Sequence, residues 1–380
     1  MKIGYLFTYG YSLKTWEESG TLNKELFLFK KLAEEKNIEF KLFTYGNADD
    51  FKLLPKNLSI EIVPIYDKIF KRSKNKKINL LKSLVLPFKL KKYFNDVDVI
   101  KCNQLQGSWV AVILKILLRK PLYIRTGYDV YSFSVHEEKG NFKIISYFIL
   151  TQIALFFSDF YSVTTELDKK FLISKFRFTK NILLRPNFVL SNEIKPIKER
   201  FSKKILSVGR LETQKNFEKL ILLFKNTDYE IDIVGEGSLK ADLINISKNN
   251  NVKVNFLGQI ENDELQNFYS KYLFFISTSN FEGHPKTILE ALSNGCIVLA
   301  SNIPNHLELI EDSVNGFIIH NSIVSIKDKL NDLKSDFSKL KIISDNAVNN
   351  AESKYGIDTL INNLEKDYFD ITNKSDYIFE

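Results

Sequence analysis

Apolar positions along this chain gather into short runs that alternate with longer, helix-periodic segments almost from one end to the other. In the first half, runs rich in β-branched and aromatic residues predict strands at 2–7, 38–44, 59–64, 98–102, 121–126 and 160–164. Apolar residues recurring every three to four positions predict helices at 21–36, 78–94, 107–118, 141–158 and 166–176. In the second half, strands are predicted at 204–208, 229–234, 252–257, 273–277, 296–300 and 316–319, with helices between them. Strand–helix alternation of this kind predicts an α/β protein whose parallel sheets are covered on both faces. The pattern breaks at Arg185-Pro186-Asn187 and the polar stretch SNEIKPIKERFSKK, which reads as a linker over 186–202. The expected domains are 1–188 and 189–355, followed by a tail, 356–380, in which 356–370 reads as one more helix.

Composition narrows the picture. A length of 380 residues suits two cores of ordinary size, and 44% hydrophobic with 26% charged residues is the balance of a soluble globular protein. Two cysteines, Cys102 and Cys296, are too few for a disulfide framework and point to a reducing compartment. No metal-ligand spacing is visible among the cysteines and four histidines. The residues after Lys2 turn polar too quickly for a secretory signal, so a cytoplasmic location is expected. The most apolar stretch, 144–157, is too short to span a bilayer and reads as a buried or surface-docked helix. Charge is uneven: residues 1–190 hold 32 Lys+Arg against 18 Asp+Glu, whereas residues 191–380 hold 22 against 28. A basic half suggests an anionic partner.

Four segments could carry chemistry. In FISTSNFEGHPKTILEALSNGCIVLAS (275–301) a buried strand runs into a polar loop, and Pro285 then stands where a first helical residue should be. A loop feeding a helix N-terminus at the carboxyl end of a parallel strand is where open α/β sheets bind ligands. Its free N–H groups near Lys286 and Thr287 could hold a phosphate. Glu282 precedes this helix and Glu290 lies within it. Spacing alone leaves open that the first is a solvated loop acid and the second a surface helix residue. In KILSVGRLETQKN (204–216), Gly209 allows a tight turn, and Arg210 with Lys215 offers a planar fork plus a point charge for a diphosphate; two exposed basic side chains are the plain alternative. The loop TYGYSLKTWEESGT (8–21) lacks the GxGxxG spacing, yet Gly20 could let a ligand approach the backbone. Residues 68–92 carry nine Lys/Arg from 71 onward and no acid there, interleaved with Leu, Ile, Val and Phe. That suits an anionic membrane surface; a solvated basic face over a core helix is the alternative, and no nucleic-acid module accompanies the charge. His136 and His284 fall in candidate clefts, His306 and His320 less clearly so.

Taken together, 204–216 and 275–316 resemble the donor domain of retaining GT-B glycosyltransferases, the family that includes glycogen synthase-like and lipopolysaccharide-sugar transferases. The matching pieces are VGRLETQKN, the glutamates of FEGHPKTILEAL at the family's Glu-x7-Glu spacing, and SNGCIVLASNIPNHLELIEDSVNGFII. The resemblance implies two Rossmann-like domains facing a central cleft, the first binding acceptor and the second a UDP- or GDP-sugar, with the last helix crossing back to the first domain. It implies that Arg210 and Lys215 neutralise the diphosphate, that Glu282 touches the sugar, and that Glu290 holds the ribose. Backbone groups of Gly283, His284, Pro285, Lys286, Thr287 and Ile288 would contact sugar and phosphate. The base would lie near Gly258, Gln259 and Ile260, and Gly20 would let the N-terminal loop approach the diphosphate. No metal or other cofactor is implied, since cations and the helix dipole carry the leaving-group charge. One departure stands out: in RTGYDVY, Thr126 occupies the place where many members have a histidine. Asp129 and His136 are the nearest polar replacements for a catalytic role. The expected function is sugar transfer to a lipid-linked or cell-envelope glycan, such as lipopolysaccharide or capsule, by a bacterial enzyme peripheral on the inner face of the plasma membrane. A non-catalytic nucleotide-sugar-binding subunit, a phosphorylase or a nucleotide-sugar epimerase are the rival readings.

Overall fold

The apolar runs pair as parallel strands in two separate sheets. The structure, a computed structural model, describes residues 1–55, 58, 60–190, 193–319 and 326–376. The chain divides into two units, one formed by Met1–Pro186 together with the chain from Leu360 on, the other by Asn187–Thr359.

The first sheet contains β1 (Lys2–Leu6), β2 (Glu39–Thr44), β3 (Ile60–Pro64), β4 (Val99–Asn103), β5 (Leu122–Arg125), β6 (Phe160–Val163) and β7 (Ile182–Leu184), in the spatial order β3-β2-β1-β4-β5-β6-β7. Helices Lys76–Leu90, Ser108–Leu118 and Asn141–Phe157 bury Leu86, Leu90, Leu114, Ala154 and Leu155 in one core with Ile100 and Cys102 of β4. The opposite side of β4 presents Lys101, whose Nζ donates to the Tyr368 hydroxyl at 2.5 Å beneath the rings of Tyr5, Tyr123 and Tyr368. Burial pushes the Lys101 ammonium down to about 7. Beside it Asp367 accepts from Tyr123 at 3.0 Å and from Arg185 Nε at 2.7 Å.

The second sheet contains β8 (Phe201–Val208), β9 (Glu230–Val234), β10 (Lys253–Gly258), β11 (Tyr272–Ser277), β12 (Ile297–Ser301) and β13 (Phe317–Ile319), ordered β10-β9-β8-β11-β12-β13. Its central strands are buried on both faces, as continuous apolar runs in a covered parallel sheet must be: every residue of β11 and β12 is buried. Each such Phe or Ile stabilises the fold by about 1.5–3 kcal/mol relative to exposure.

The twelve predicted strands are present. Beyond them the described residues of the first unit include β7, which has only three residues, and three short α-helices, Leu13–Glu18, Ile65–Lys68 and Val130–His136. The loop expected over 8–21 is therefore partly helical, started by a Ser12–Thr15 capping box and followed by Gly20 at φ +68. The linker expected over 186–202 ends early, because β8 begins at Phe201. His320 lies outside the described residues.

Candidate active site

In the second unit the first strand, β8, has β9 on one side and β11 on the other. The chain thus leaves β8 in one direction and returns on its far side at β11, which makes the carboxyl ends of β8 and β11 a topological switch point. Two loops meet there: 209–216 after β8 and 278–285 after β11. They are tied by Asn280 N–H donating to the Gln214 carbonyl (2.9 Å), Asn216 Nδ2 to Asn280 Oδ1 (2.9 Å) and Thr278 Oγ1 to the Asn216 carbonyl (2.8 Å). A third loop, after β9, braces the first: Leu211 N–H donates to the Glu236 carbonyl at 3.0 Å, and Ser238 donates through N–H and Oγ to the Glu212 carboxylate at 3.0 and 2.8 Å. This close approach requires Gly235, at φ +139, where a Cβ would overlap the Gly209 carbonyl oxygen.

Glu282 sits at the centre of this frame. Its carboxylate accepts from Lys215 Nζ (2.5 Å), Ser279 Oγ (2.7 Å) and Gln214 Nε2 (3.2 Å). The side chains of Lys215 and Glu282 are 16% and 7% exposed, so this is a largely buried ion pair and Glu282 is not a solvated loop acid. Lys215 has three donors and spends one on Glu282. Arg210 is exposed at the mouth, 3.5 Å from Gln214 Oε1. Two cations and one fixed carboxylate thus converge where three loops meet.

The helix Lys286–Ser293 begins at Pro285 with no side-chain cap. Its first-turn N–H groups have no intrahelical acceptor and carry the positive end of the dipole. It stops in a Schellman motif, with Cys296 N–H donating to the Ala291 carbonyl at 2.9 Å and Gly295 at φ +67. Glu290, one turn in, is buried rather than on the surface, and accepts from the Tyr269 hydroxyl at 3.3 Å. Gly283, His284, Pro285 and Ile288 are buried, Thr287 half-buried and Lys286 exposed. His284 Nδ1 lies 3.3 Å from Asn187 Nδ2. Gly258 (φ +73) ends β10, two strands from β8, and exposed Gln259 and half-buried Ile260 follow it.

The remaining expected residues lie in the first unit. Gly20 ends the helix Leu13–Glu18, its N–H donating to the Glu17 carbonyl at 2.9 Å. Asp129 is the N-cap of Val130–His136 and is buried, which raises its carboxyl to about 6. His136 stands exposed at the other end of that helix, so the two are not adjacent. Thr126 is buried, its N–H donating to the Ser162 carbonyl at 2.8 Å.

Gln214 and Ser279, which hold Glu282, and the glycines of Gly235-Glu236-Gly237 are not among the expected site residues. His306 is a further one. This residue is fully buried, with Nδ1 2.8 Å from the Ser301 carbonyl and Nε2 without a partner among the described residues. Burial lowers it to about 4, which keeps the ring neutral at physiological pH.

Residues 192–350 match the family described as Glycosyl transferases group 1. That match spans less than half of the chain, whose two parallel α/β sheets have the GT-B fold. The chain is 28% identical over 208 residues to an uncharacterized glycosyltransferase of Haemophilus influenzae, covering 52% of this chain and 57% of that protein, little more than half its length. It is also 28% identical, over 67% of each chain, to a Campylobacter jejuni protein named as an α-1,4-N-acetyl-D-galactosaminyltransferase acting on a diphospho-undecaprenol-linked glycan. Among solved structures, Anabaena HepE in complex with UDP and glucose superposes with a TM-score of 0.71 at 17% identity, covering 96% of this chain and 98% of that one, a likeness of fold.

Proposed function

We propose that this protein is a retaining glycosyltransferase that moves a sugar from a nucleoside-diphosphate donor, a UDP- or GDP-sugar, to a lipid-linked or cell-envelope glycan. The observation that carries the reading is the Lys215–Glu282 pair at the β8/β11 switch point, with Arg210 at its mouth and an uncapped helix N-terminus beside it. In the reaction the bond between the anomeric carbon and the β-phosphate oxygen breaks, and the acceptor oxygen bonds to that carbon on the same face. The acceptor proton passes to the departing diphosphate. Arg210, Lys215 and the first-turn N–H groups of Lys286–Ser293 take up the charge that develops on the leaving group, so no metal is needed for that task. Glu282, fixed by three donors, faces the charge-deficient sugar. Glu290 accepts from the ribose hydroxyls, and Gly258, Gln259 and Ile260 border the base. The Campylobacter relative's named acceptor supports a lipid-linked one here. The basic segment 68–92 would hold the protein on the cytoplasmic face of the membrane.

The test is release of nucleoside diphosphate from a panel of nucleotide sugars, with and without a membrane lipid extract, beside Glu282→Ala. Release from one donor that rises with the extract and vanishes in the variant is expected. Saturable nucleotide binding without release would replace this reading by a binding subunit, the alternative to which the buried Thr126 belongs.

A further inference from the structure

The three helices that cover one face of the first sheet, Lys76–Leu90, Ser108–Leu118 and Asn141–Phe157, lie side by side, the middle one packing against both neighbours. Each buries an inward side in the same core. A helix in that position should be polar outside. Here the outward sides of the two flanking helices are apolar as well. On the first, Leu81 is 64% and Phe88 61% exposed, with Leu84 and Val85 between them; on the third, Phe142 is 85% exposed, followed by Ile145 and Ile149. The spacing of three to four residues makes each set one stripe along its helix. An exposed apolar surface of this extent marks a place where something docks.

A second observation says what docks. At the end of the helix Lys76–Leu90 a pocket of about 620 Å³ is lined by Lys68, Lys89, Lys91 and Lys92 together with Ile69, Phe88, Tyr93 and Asn95. Lys89, Lys91 and Lys92 have no carboxylate partner among the described residues. Lys89 Nζ lies 4.5 Å from the centre of the Phe70 ring and Lys92 Nζ 5.0 Å from that of Tyr93. Phe88 belongs both to the pocket wall and to the exposed stripe. Cations over an apolar floor that opens onto an apolar surface suit a phosphodiester joined to acyl chains. A second copy of the chain fits poorly, because a symmetric contact would set the nine cations of 71–92 against the same nine. Among the described residues no helix is long and apolar enough to cross a membrane, so the contact would be interfacial.

We propose that this face docks on a bilayer containing anionic phospholipid, with the Lys68/Lys89/Lys91/Lys92 pocket taking one phosphodiester headgroup while Leu81, Phe88, Phe142 and Ile145 enter the acyl boundary. The inference deepens the membrane part of the proposed function and is independent of whether transfer occurs. The full chain is sedimented with phosphatidylcholine vesicles with or without phosphatidylglycerol. Binding is expected to rise at least about tenfold with the anionic lipid and to weaken with salt. Lys89→Glu/Lys92→Glu should lower it several-fold more than the charge-matched control Lys74→Glu/Lys77→Glu. Phe142→Ser/Ile145→Ser should weaken binding to both vesicle types, and in Phe142→Trp the indole should be quenched by brominated acyl chains. Equal effects of the two lysine pairs would overturn the headgroup pocket and leave a diffuse basic face. No quenching would overturn insertion, and a dimer in sedimentation velocity that Phe142→Ser dissolves would replace the bilayer by a second copy. Release of nucleoside diphosphate from soluble donor, measured on the same variants, separates these outcomes from failure of the catalytic reading.

Discussion

At the carboxyl ends of β1 and β4 the chain of the first unit forks as it does at β8 and β11 in the second, yet the two forks are filled differently. At the first, Tyr9 N–H donates to the Gln106 carbonyl and Thr8 Oγ1 to the Asn103 carbonyl, each at 2.9 Å, and Gly107 at φ +105 brings the backbone against Tyr9. These groups are neutral and satisfied by one another. At the second, a lysine and a glutamate stand largely out of water with an arginine outside. The wiring offers the same location twice, and side chains decide which one can act on a charged ligand. The buried ion pair of the first unit stands away from its fork, where Arg185 and Asp367 are 15% and 4% exposed.

Substitutions put this contrast to the test. The largest effect is expected from Asp367→Ala. It leaves Arg185 and Tyr123 without their buried partner and should lower stability by about 3–5 kcal/mol in denaturant unfolding, confined to the first unit. An equal loss in both units would mean that their cores are not independent. Next comes Glu282→Gln, which should lower donor turnover by about 10²–10³-fold while thermal unfolding changes little. Retained turnover would make the pair structural and the two forks equivalent. Gly235→Ala forces a strained φ and a backbone overlap, at a cost of about 1–3 kcal/mol for the strain alone, read as a lower midpoint of the second unit.

The smallest effect concerns pH. Asp129, raised to about 6 from an unfolded value of 3.8, binds more protons folded than unfolded between those values. Its contribution is therefore complete below about pH 4 and is lost as pH rises through 6. Asp129→Asn keeps a good N-cap without the charge. Relative to the parent, it should gain about 1–3 kcal/mol in denaturant titrations between pH 4 and pH 7. A pH-independent difference would remove the burial account.

The contrast also explains what could be read in advance. Continuous runs such as those of β11 and β12 announce themselves because both faces of the strand are covered. β7, with three residues, is too short for a period to register. The helix Leu13–Glu18 is only six residues long, and its evidence is a cap, Ser12 with Thr15, rather than a stripe. Asp129 draws attention as a charge, whereas its fold role is that of a cap ahead of Val130. Glu282, Lys215 and Arg210 are legible as a spacing in the chain. Gln214 is not, since only the meeting of two loops puts it on a carboxylate 68 residues away, and Ser279, three residues before Glu282 in the same loop, is one polar residue among several there. The paired glycines in VGEGS do carry a signal, a strand followed at once by two residues free of Cβ.

The discontinuity of the first unit bears on how the chain matures during synthesis. Asp367 and Tyr368 meet partners that lie 182 residues earlier at Arg185, 244 at Tyr123 and 267 at Lys101. A nascent chain therefore exposes one side of β4 and β5, a half-finished surface of tyrosines around a lysine, while the whole of Asn187–Thr359 is still being made. The unit begun first is closed last, and the unit between is released as a complete insert before its host is sealed. A ribosome pausing within the helix Ile357–Asp376 would hold a finished second sheet beside an unfinished first one, the stage at which a chaperone would find the most to bind.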